Sequence, residues 1–513
     1  MTTEKKCCTY NLMLRIFIVI SGLLICLGIL AAIFHPNLYR YMVEKELVMK
    51  PGNEAYNNWY SPPSPVYMQY FMFNYTNVAD ILAKGSKPQV QQIGPYSYKE
   101  IRINAVVEQN DYEITYLQNY SYVFDPVTSC QNCSESDMIW APDIAVLTIL
   151  NKMNALNSAE LIFVATFFNI YQYKQKVSLF QYRSVYEMLW GYKDSFLTNI
   201  RMLEDKIPKF IADLLNLEKI DPYVVLQHNG TKEAESIGNI TILTGKSNIN
   251  DVQKVIKWRG LNHTDKNFWK TMYGRMLNGS DGSHTQPFLE RNSKVYLFTA
   301  DLARSLYVEY ESDITVFDIT LYRHTTSQWL FMNSSVNPDN EAFCGPTKCW
   351  GTGLLPIGQT QDGNPPLFMS SPHFYQGDQK LVDAINGLHP NKSLHATFLD
   401  AEPTTGIVMQ AHKRLQINIL VQPLKLISIT ENIHEDVFLP ILYVDEQAMI
   451  DQKSADKFKS EVLKPKVYLE AGSYTILGIG VLILLVVIAV FSRRFYKKRK
   501  NNEYKEFKDA DCV

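Results

Sequence analysis

The chain lacks an excess of charge of either sign. Its 50 Lys and Arg residues are balanced by 52 Asp and Glu residues, which gives a formal net charge of −2 at pH 7. Proteins that bind nucleic acid present a basic surface to the phosphate backbone, so this composition does not favour DNA or RNA as a partner. Low-complexity segments and internal repeats are also missing.

Sequence signatures of the common catalytic sites are absent as well. There is no H-E-x-x-H zinc motif, no G-x-S-x-G nucleophile elbow and no pair of C-x-x-C motifs of zinc-ribbon type. The Gly-Lys-Ser tripeptide at Gly245 resembles the end of a phosphate-binding loop, but Ile240 stands where the first glycine is required. We interpret His373 and His395 as structural residues. We therefore expect a protein that is not an enzyme, with no metal and no cofactor.

Long apolar runs occur only near the two ends of the chain. Ile16–Phe34 contains 19 residues without a charge, and Ala471–Ser492 contains 22. At 1.5 Å of rise per residue, a helix of either length crosses the roughly 30 Å hydrocarbon core of a bilayer. We therefore predict transmembrane helices at residues 16–34 and 473–492, with residues 35–472 together on one side of the membrane.

Basic residues flank both runs on the side of the chain termini. Three precede the first run, and six lie between positions 493 and 500. Short basic flanks stay in the cytoplasm, so we predict cytoplasmic tails at residues 1–15 and 493–513 and a lumenal or extracellular domain between the spans. A cleaved signal peptide is the alternative for the first run, but Phe34-His35-Pro36 replaces the small residues of a cleavage site.

Sequons for N-glycosylation are frequent, and all of them fall in the predicted lumenal or extracellular domain. This distribution supports the topology, and we expect glycans on exposed loops. The nine sequons begin at Asn74, Asn119, Asn132, Asn229, Asn239, Asn262, Asn278, Asn333 and Asn391.

The eight cysteines divide by location. Only four belong to the large domain, and in an oxidising compartment they can pair in three ways. We favour the local pairs, Cys130 with Cys133 and Cys344 with Cys349. Cys7 and Cys8 lie beside lysines at the membrane boundary, which suits S-palmitoylation, although idle reduced thiols are an equally good interpretation.

Most of the large domain is predicted to form short β-strands. Val66–Phe73, Ile314–Thr320 and Gln416–Val421 are rich in β-branched and aromatic residues, and glycine and proline turn signals separate such runs.

A helical region interrupts the strands between Ile144 and Leu217. Within it Ser158 is the expected N-cap of a helix, and Pro208 is expected to break a later one. The apolar segment Leu161–Phe168 is too short to cross a membrane. We expect it to be a buried helix with one edge available for contact; an exposed apolar patch for a ligand or partner is the alternative.

Six sequence strings occur together in the order of a known family. They resemble the class B scavenger receptor family, and the match is collinear from the first span to the second. The strings are Ile93-Gly-Pro-Tyr-Ser-Tyr, Leu189-Trp-Gly-Tyr-Lys-Asp, Asn278-Gly-Ser-Asp-Gly, Ser371-Pro-His-Phe-Tyr, Phe398-Leu-Asp-Ala-Glu-Pro-Thr-Thr-Gly and Lys413-Arg-Leu-Gln-Ile-Asn.

The resemblance implies a mainly β fold: an antiparallel, barrel-like domain with an apical bundle of helices, anchored by two terminal transmembrane helices. It also implies an apolar tunnel through which lipid passes toward the bilayer, and candidate ligands that are fatty acids, sterols, other lipids or lipoproteins. The cysteines of Cys344-Gly-Pro-Thr-Lys-Cys349 resemble a short-range disulfide of the family.

Two further candidate sites are predicted, one from the family resemblance and one from the sequence of the C-terminal tail. Lys174 and Lys176 stand in a segment similar to the one in which apical lysines of the family receive anionic ligands; solvated surface lysines are the alternative. Tyr504 and Phe507 form a Tyr-x-x-apolar pattern of the kind that endocytic adaptors bind.

Three functions fit these observations. The first is a two-pass glycoprotein receptor of the plasma membrane or the endosomal–lysosomal membrane that captures lipid at its apex and conducts it. The second is a lysosomal sorting receptor that carries a soluble hydrolase, and the third is an adhesive or phagocytic receptor with a closed core. A second copy of the chain is a further candidate partner. An exposed aliphatic helix face at the apex would favour protein cargo, whereas a basic mouth above a cavity would favour lipid.

Overall fold

The computed structural model describes residues 3–202, 209–215, 217, 221–345 and 348–510, with the backbone alone for residues 3–11 and 501–510. The chain divides into two compact units. One contains the terminal segments Met1–Glu46 and Lys453–Val513, and the other is Leu47–Gln452.

The terminal unit is built from two long helices. Helix α1 covers Thr3–Leu47, and helix α14 covers Lys464–Ala510. Both are long and apolar enough to cross a membrane, and only 11% of each apolar window is buried within the protein. Each helix also extends beyond its apolar run on the side of the central unit. A helix so exposed and so apolar is suited to lipid rather than to water as its surroundings.

Small residues bring α1 and α14 into antiparallel contact. A Cβ atom placed on Gly28 would lie 2.6 Å from the backbone of Leu477, and one on Gly480 would lie 2.8 Å from the backbone of Ile25. Ser21 and Ser473 lie seven residues before the two glycines and are buried. This seven-residue spacing of small side chains is the period at which paired helices keep one seam in contact.

The central unit contains short helices and a large set of strands. The helices of the chain between α1 and α14 are α2 (Glu54–Tyr60), α3 (Val78–Lys84), α4 (Ile144–Asn154), α5 (Ser158–Gln175), α6 (Val185–Trp190), α7 (Ser195–Met202), α8 (Lys209–Leu215), α9 (Thr231–Ile237), α10 (Met272–Arg275), α11 (Gln379–Asp383), α12 (Lys392–His395) and α13 (Gln452–Phe458). The strands are β1 (Val66–Tyr75), β2 (Val90–Gln109), β3 (Glu113–Phe124), β4 (Met138–Pro142), β5 (Phe180–Ser184), β6 (Tyr192–Lys193), β7 (Tyr223–Val224), β8 (Ile240–Leu243), β9 (Val255–Trp258), β10 (Val295–Thr299), β11 (Arg304–Val316), β12 (Ile319–Thr326), β13 (Leu355–Pro356), β14 (Leu367–Ser370), β15 (Phe398–Ala401), β16 (Val408–Val421) and β17 (Val437–Met449).

Thirteen of the described strands form one antiparallel sheet. Its order is β10-β11-β12-β15-β16-β17-β1-β2-β3-β8-β9, with β14 paired to β16 and β13 paired to β14. The two shorter sheets, β4-β5 and β6-β7, lie within or beside the helical region. The mainly β fold with a helical region, expected from the resemblance, is therefore confirmed.

The segment after Asn278 joins the two edges of the large sheet. The amide of Val255 on β9 donates to the carbonyl of Gly279 (2.9 Å), and the amide of Phe298 on β10 donates to the carbonyl of Ser280 (2.7 Å). Gly279 has a φ of +84°, and a Cβ atom there would lie 1.9 Å from the carbonyl oxygen of Tyr296. Only glycine fits this position, and through it the sheet becomes a nearly closed barrel.

One predicted strand contains a turn. The apolar run Ile314–Thr320 was expected to be a single strand, and this prediction is wrong: β11 ends at Val316 and β12 begins at Ile319. Phe317 and Asp318 between them both have positive φ angles, which is the conformation of a two-residue hairpin turn. The sequence did not predict this turn because β-branched residues flank it and neither of its two central residues is glycine.

Alternation along β16 and β17 separates the two faces of the sheet. Lys413 pairs with Glu446 and Arg414 with Asp445, so the two pairs project from opposite faces. Lys413 also reaches Asp301 beside β10, although β11, β12 and β15 lie between their strands in the sheet. Such a contact is made across the concave side. We call this side the inner face and the side of Arg414 the outer face.

Candidate functional site

Helix α5 is held at its start by a capping box. The side chain of Asn157 accepts hydrogen bonds from the amides of Ala159 and Glu160, and the side chain of Glu160 accepts one from the amide of Asn157. The expectation that Ser158 is the N-cap is therefore wrong by one position. Shifting the cap to Asn157 places Glu160 at the third helical residue, where the reciprocal bond forms.

The same helix exposes an apolar stripe. Ile162, Phe163, Ile170 and Tyr173 keep between 56% and 84% of their surface accessible, while Val164, Ala165 and Phe168 on the other side are buried. The ring of Phe163 packs at its edge against Phe210 of α8. The segment Leu161–Phe168 thus has one buried face and one exposed face. Four large apolar side chains on one helix face are suited to covering by another molecule.

Lys174 and Lys176 lie at the C-terminal end of this stripe, and both side chains are exposed. Lys176 is the C-cap in the left-handed conformation, with its amide bonded to the carbonyl of Gln172. Among the described residues neither lysine forms an ion pair. Both ammonium groups are therefore available to an anion, and their position at a helix C-terminus is also one that stabilises the helix dipole.

Two buried carboxylates lie close together at the starts of helices α4 and α7. Asp143 caps α4 by accepting from the amide of Val146, and Asp194 caps α7 by accepting from the amide of Leu197. Burial, followed by the nearby charge of Asp194, raises the pKa of Asp143 to about 7. The helical region therefore contains an acid whose charge changes near neutral pH.

A chain of ion pairs crosses the inner face of the barrel. Arg102 on β2 binds Glu100 (2.8 Å) and Glu446 on β17 (3.2 Å), and Lys413 on β16 binds Glu446 (3.1 Å) and Asp301 beside β10 (2.5 Å). These pairs connect β2, across β1, to the neighbouring strands β17 and β16, and connect β16 to the turn beside β10 on the far side. We call these four ion pairs the ion-pair belt. Because each positive charge is paired with a negative one, the belt is tolerated in a poorly hydrated interior.

Lys413 and Tyr70 are two polar residues of the inner face. Lys413 has more than a third of its side chain accessible, yet loss of hydration is the largest influence on its pKa, and it is the carboxylates of Asp301 and Glu446 that raise the pKa overall. The buried hydroxyl of Tyr70, on the same face, has no hydrogen-bond partner within the described part of the chain. A buried group of this kind is costly unless another molecule binds it.

A separate cavity of about 640 Å³ lies on the outer face. Its walls include Phe71 of β1, Tyr443 of β17, Arg414 of β16, and the imidazoles of His373 and His395. The sequence prediction that both histidines are structural agrees with their burial, but the prediction did not place them beside a cavity. No spacing along the chain could have done so, because six separate segments of the chain line this cavity.

The remaining predicted sites have these positions. The two disulfides join Cys130 to Cys133 and Cys344 to Cys349, with Cα–Cα distances of 5.3 and 4.5 Å. Each sequon asparagine keeps accessible surface. The side chains of Cys7, Cys8, Tyr504 and Phe507 are outside the described part of the protein, as is Pro208, so their roles stay predictions.

Sequence comparisons place this chain beside a group of membrane receptors. Residues 18–491 match the model of the CD36 family. Human (Homo sapiens) lysosome membrane protein 2 is 34% identical over 447 residues, which cover 86% of this chain and 87% of that protein. Scavenger receptor class B member 1 of Rattus norvegicus is 32% identical over 475 residues, covering 92% of this chain and 87% of that protein. Neither name is that of an enzyme.

Proposed function

This chain belongs to the CD36 family, and on that premise we propose that it is a two-pass receptor that captures lipid or lipoprotein in its central unit and conducts lipid toward the membrane. The proposal is supported by the family match, by the accessible surface that Lys413 keeps on the inner face of the barrel, and by the buried Tyr70 hydroxyl, which has no partner among the described residues. Candidate ligands are fatty acids, sterols and other lipids.

The topology proposed for the receptor has both termini in the cytoplasm. The clusters of Lys and Arg beyond each apolar run support this orientation. The glycosylated central unit then faces either the cell exterior or the lumen of endosomes and lysosomes. The names of the relatives support a plasma-membrane or lysosomal residence.

Capture is assigned to Lys174 and Lys176. Their exposed ammonium groups have no acidic partner among the described residues, and the aromatic ring of Tyr173 lies next to them in the sequence. A lipid carboxylate or phosphate can be held by the two cations while its apolar part contacts the neighbouring stripe.

Passage through the barrel is favoured by desolvation of the acyl chain. Each methylene group removed from water contributes about 0.8 kcal/mol, so an enclosed path lowers the free energy of a lipid in transit without any nucleotide. The ion-pair belt divides this path, and a lipid must pass beside paired charges rather than through a wholly apolar tube.

A bulky residue on the inner face tests the passage. Leu415 is half-buried on β16, two residues from Lys413 and therefore on the same face. We expect Leu415→Trp to reduce cellular uptake of fluorescent fatty acid and cholesteryl ester to less than about a fifth, because the indole fills the space.

Val123→Trp is the matched control, since Val123 is 54% exposed on β3. Uptake by this control should equal that of the unchanged protein at equal surface abundance. Undiminished uptake by the Leu415→Trp protein would contradict passage through the barrel.

A second candidate function is the sorting of a soluble hydrolase. The exposed aliphatic stripe of α5 favours it, because such a face suits a protein surface better than a single lipid. We expect Ile170→Glu to release specific lysosomal hydrolases into the medium of cells that express the variant, while lipid uptake is retained. Secretion proteomics measures this, with Val107→Glu on β2 as an equally exposed control. An unchanged secreted set would contradict hydrolase sorting by this face.

A further inference from the structure

The outer-face cavity is separated by the sheet from the interior of the barrel. Phe71 and Tyr443 form part of its wall and stack with ring centroids 4.4 Å apart. The loop that carries His389 and the short helix α12 contribute further residues to the walls of the cavity. A ligand here would contact the opposite side of β16 and β17 from a lipid inside the barrel.

His373 forms a fixed part of the cavity wall. Its Nδ1 accepts the amide of His389 (2.9 Å), so the proton of the neutral ring is on Nε2, which donates to Oε1 of Gln92 (2.6 Å). The ring also stacks on His395 at 4.4 Å and 8° between planes. Both nitrogens of His373 are therefore already bonded, and this residue is a support rather than a ligand-binding group.

Two other groups present hydrogen-bond donors that have no acceptor. Nδ1 of His395 accepts the amide of Asn391 (3.0 Å), so Nε2 of the neutral ring carries a proton. Burial raises the pKa of Tyr443 and a hydrogen bond with the Gln92 side chain lowers it, so the Tyr443 oxygen accepts from the Gln92 amide. No acceptor is found among the described residues for the Nε2 proton of His395 or for the hydroxyl proton of Tyr443. The two rings are 6.0 Å apart and both line the cavity. Their donors can thus meet on one acceptor oxygen.

The charged groups around the cavity are neutralised by one another. Arg414 binds Asp445 (2.9 Å) and also the carbonyls of Ser393 and Ala396, and His412 contacts the same carboxylate. Burial lowers the pKa of His373 to about 3 and that of His395 to about 4. Both rings are therefore uncharged above about pH 5. A buried anion would find no free cation here, and its desolvation would be costly.

We propose that this cavity is a binding site for an uncharged ligand that presents a carbonyl oxygen to His395 Nε2 and the Tyr443 hydroxyl and places an apolar body against Phe71, Val90 and Leu394. The site differs in location and in charge preference from the capture lysines, which suit anions. It does not depend on passage of lipid through the barrel.

Two sources could supply this chemistry. One is the ester group of a neutral lipid, whose acyl chain would lie along the apolar wall. The other is the N-acetyl group of a sugar. The sequon residue Asn391 lies close to the cavity, because its backbone amide donates to Nδ1 of His395. Both present an uncharged carbonyl beside an apolar surface.

Photolabelling locates and tests the site. The full-length protein in lipid nanodiscs is irradiated with a diazirine-bearing fatty acid methyl ester, and the labelled peptides are identified by mass spectrometry. We expect label on peptides that contain Phe71, the segment 387–395 and Tyr443. Competition is measured with the unlabelled methyl ester, the free fatty acid and N-acetylglucosamine in separate arms.

Two conservative variants remove one donor each. Tyr443→Phe keeps the stacked ring, and His395→Asn keeps an acceptor for the Asn391 amide while it removes Nε2. We expect about a threefold to tenfold loss of apparent affinity for either, the effect of one hydrogen bond. Leu394→Trp at the 61% exposed rim should block labelling without touching either donor. Tyr182→Phe on the exposed surface of β5 is the control and should label normally.

Each result decides the proposal. Competition by the methyl ester or by N-acetylglucosamine supports the site and identifies the source of the carbonyl. Competition by the free acid equal to that by the ester would overturn the preference for an uncharged ligand. Label confined to the inner face at a peptide that contains no cavity residue, such as the β3 peptide with Tyr120, would overturn the location. Unchanged affinity in both donor variants would overturn the assigned hydrogen bonds.

Discussion

At the residue scale, Asp143 shows how the fold sets a charge. Its pKa is raised to about 7 by burial and by the charge of Asp194, whereas the unfolded value is about 3.9. Folding therefore disfavours the ionised form. The penalty is absent below about pH 4, grows as the pH rises, and is complete above about pH 7, so this residue makes the helical region more stable in acid.

Asp143→Asn should remove the penalty while the cap remains, because asparagine is also a good N-cap. At pH 7.5 we expect a higher melting temperature than that of the unchanged protein, which corresponds to an increase of about 2–4 kcal/mol in the free energy of unfolding. The difference should shrink toward zero as the pH falls to about 4.5. Thermal unfolding of both proteins across this range measures it, and a difference independent of pH would contradict the assignment.

At the scale of elements, the contact between α1 and α14 depends on the absence of side chains at two glycines. A Cβ atom placed on Gly480 would meet the backbone of Ile25, whereas one placed on Gly478, two residues earlier, would have no atom of another residue within 4 Å. Van der Waals packing and close backbone approach are the main attractions between helices in lipid, because the lipid is as apolar as the helices. A side chain at Gly480 should therefore disrupt the contact between the two helices, whereas a side chain at Gly478 should not.

Gly480→Leu should move the two helices apart by roughly 2 Å, the scale on which interhelical distances respond to side-chain size. Spin labels at positions 15 and 494 in nanodiscs report this separation. Gly478→Leu is the matched control and should leave the distance distribution unchanged. Equal distributions in both variants would show that the helices do not pack through Gly480.

At the scale of the whole molecule, closure of the barrel depends on the backbone of the segment 278–284. Gly279 combines a positive φ with an approach to Tyr296 that no side chain permits. Gly282 has a similar φ of +95°, but the nearest atom to its absent Cβ is 3.9 Å away. A substitution at Gly282 therefore tests backbone strain alone, whereas one at Gly279 tests backbone strain together with a steric clash.

Gly279→Ala should destabilise the central unit by about 3 kcal/mol or more, whereas Gly282→Ala should cost about 1 kcal/mol, the strain alone. Hydrogen exchange should also become faster on β9 and β10 in the first variant only, because their edge bonds to this segment are lost. Melting temperatures and exchange rates measure both effects. Equal losses in the two variants would contradict a special role for Gly279.

Local patterns predicted the parts of the protein that depend on near neighbours in the chain. The uncharged runs Ile16–Phe34 and Ala471–Ser492 became long helices because hydrophobic length alone specifies such a segment. Strand β1 followed from β-branched and aromatic composition, and the helical region from its apolar spacing. Errors arose where one residue decides a boundary, as at the Asn157 cap and at the Phe317-Asp318 turn.

The sequence by itself determined that this protein has an apolar run near each end, a domain rich in N-glycosylation sequons between them and the motifs of one receptor family. Only the tertiary structure decided which side chains meet: the belt from Arg102 to Asp301, the apolar stripe that α5 leaves uncovered, and the outer-face cavity beneath His395 and Tyr443. Tyr443 and Arg414 line the same cavity because the antiparallel register of β16 and β17 places them on one face. Lys413 and Asp301 meet because the sheet curves and brings distant strands together. Curvature and register are set by the packing of the whole barrel rather than by any local pattern.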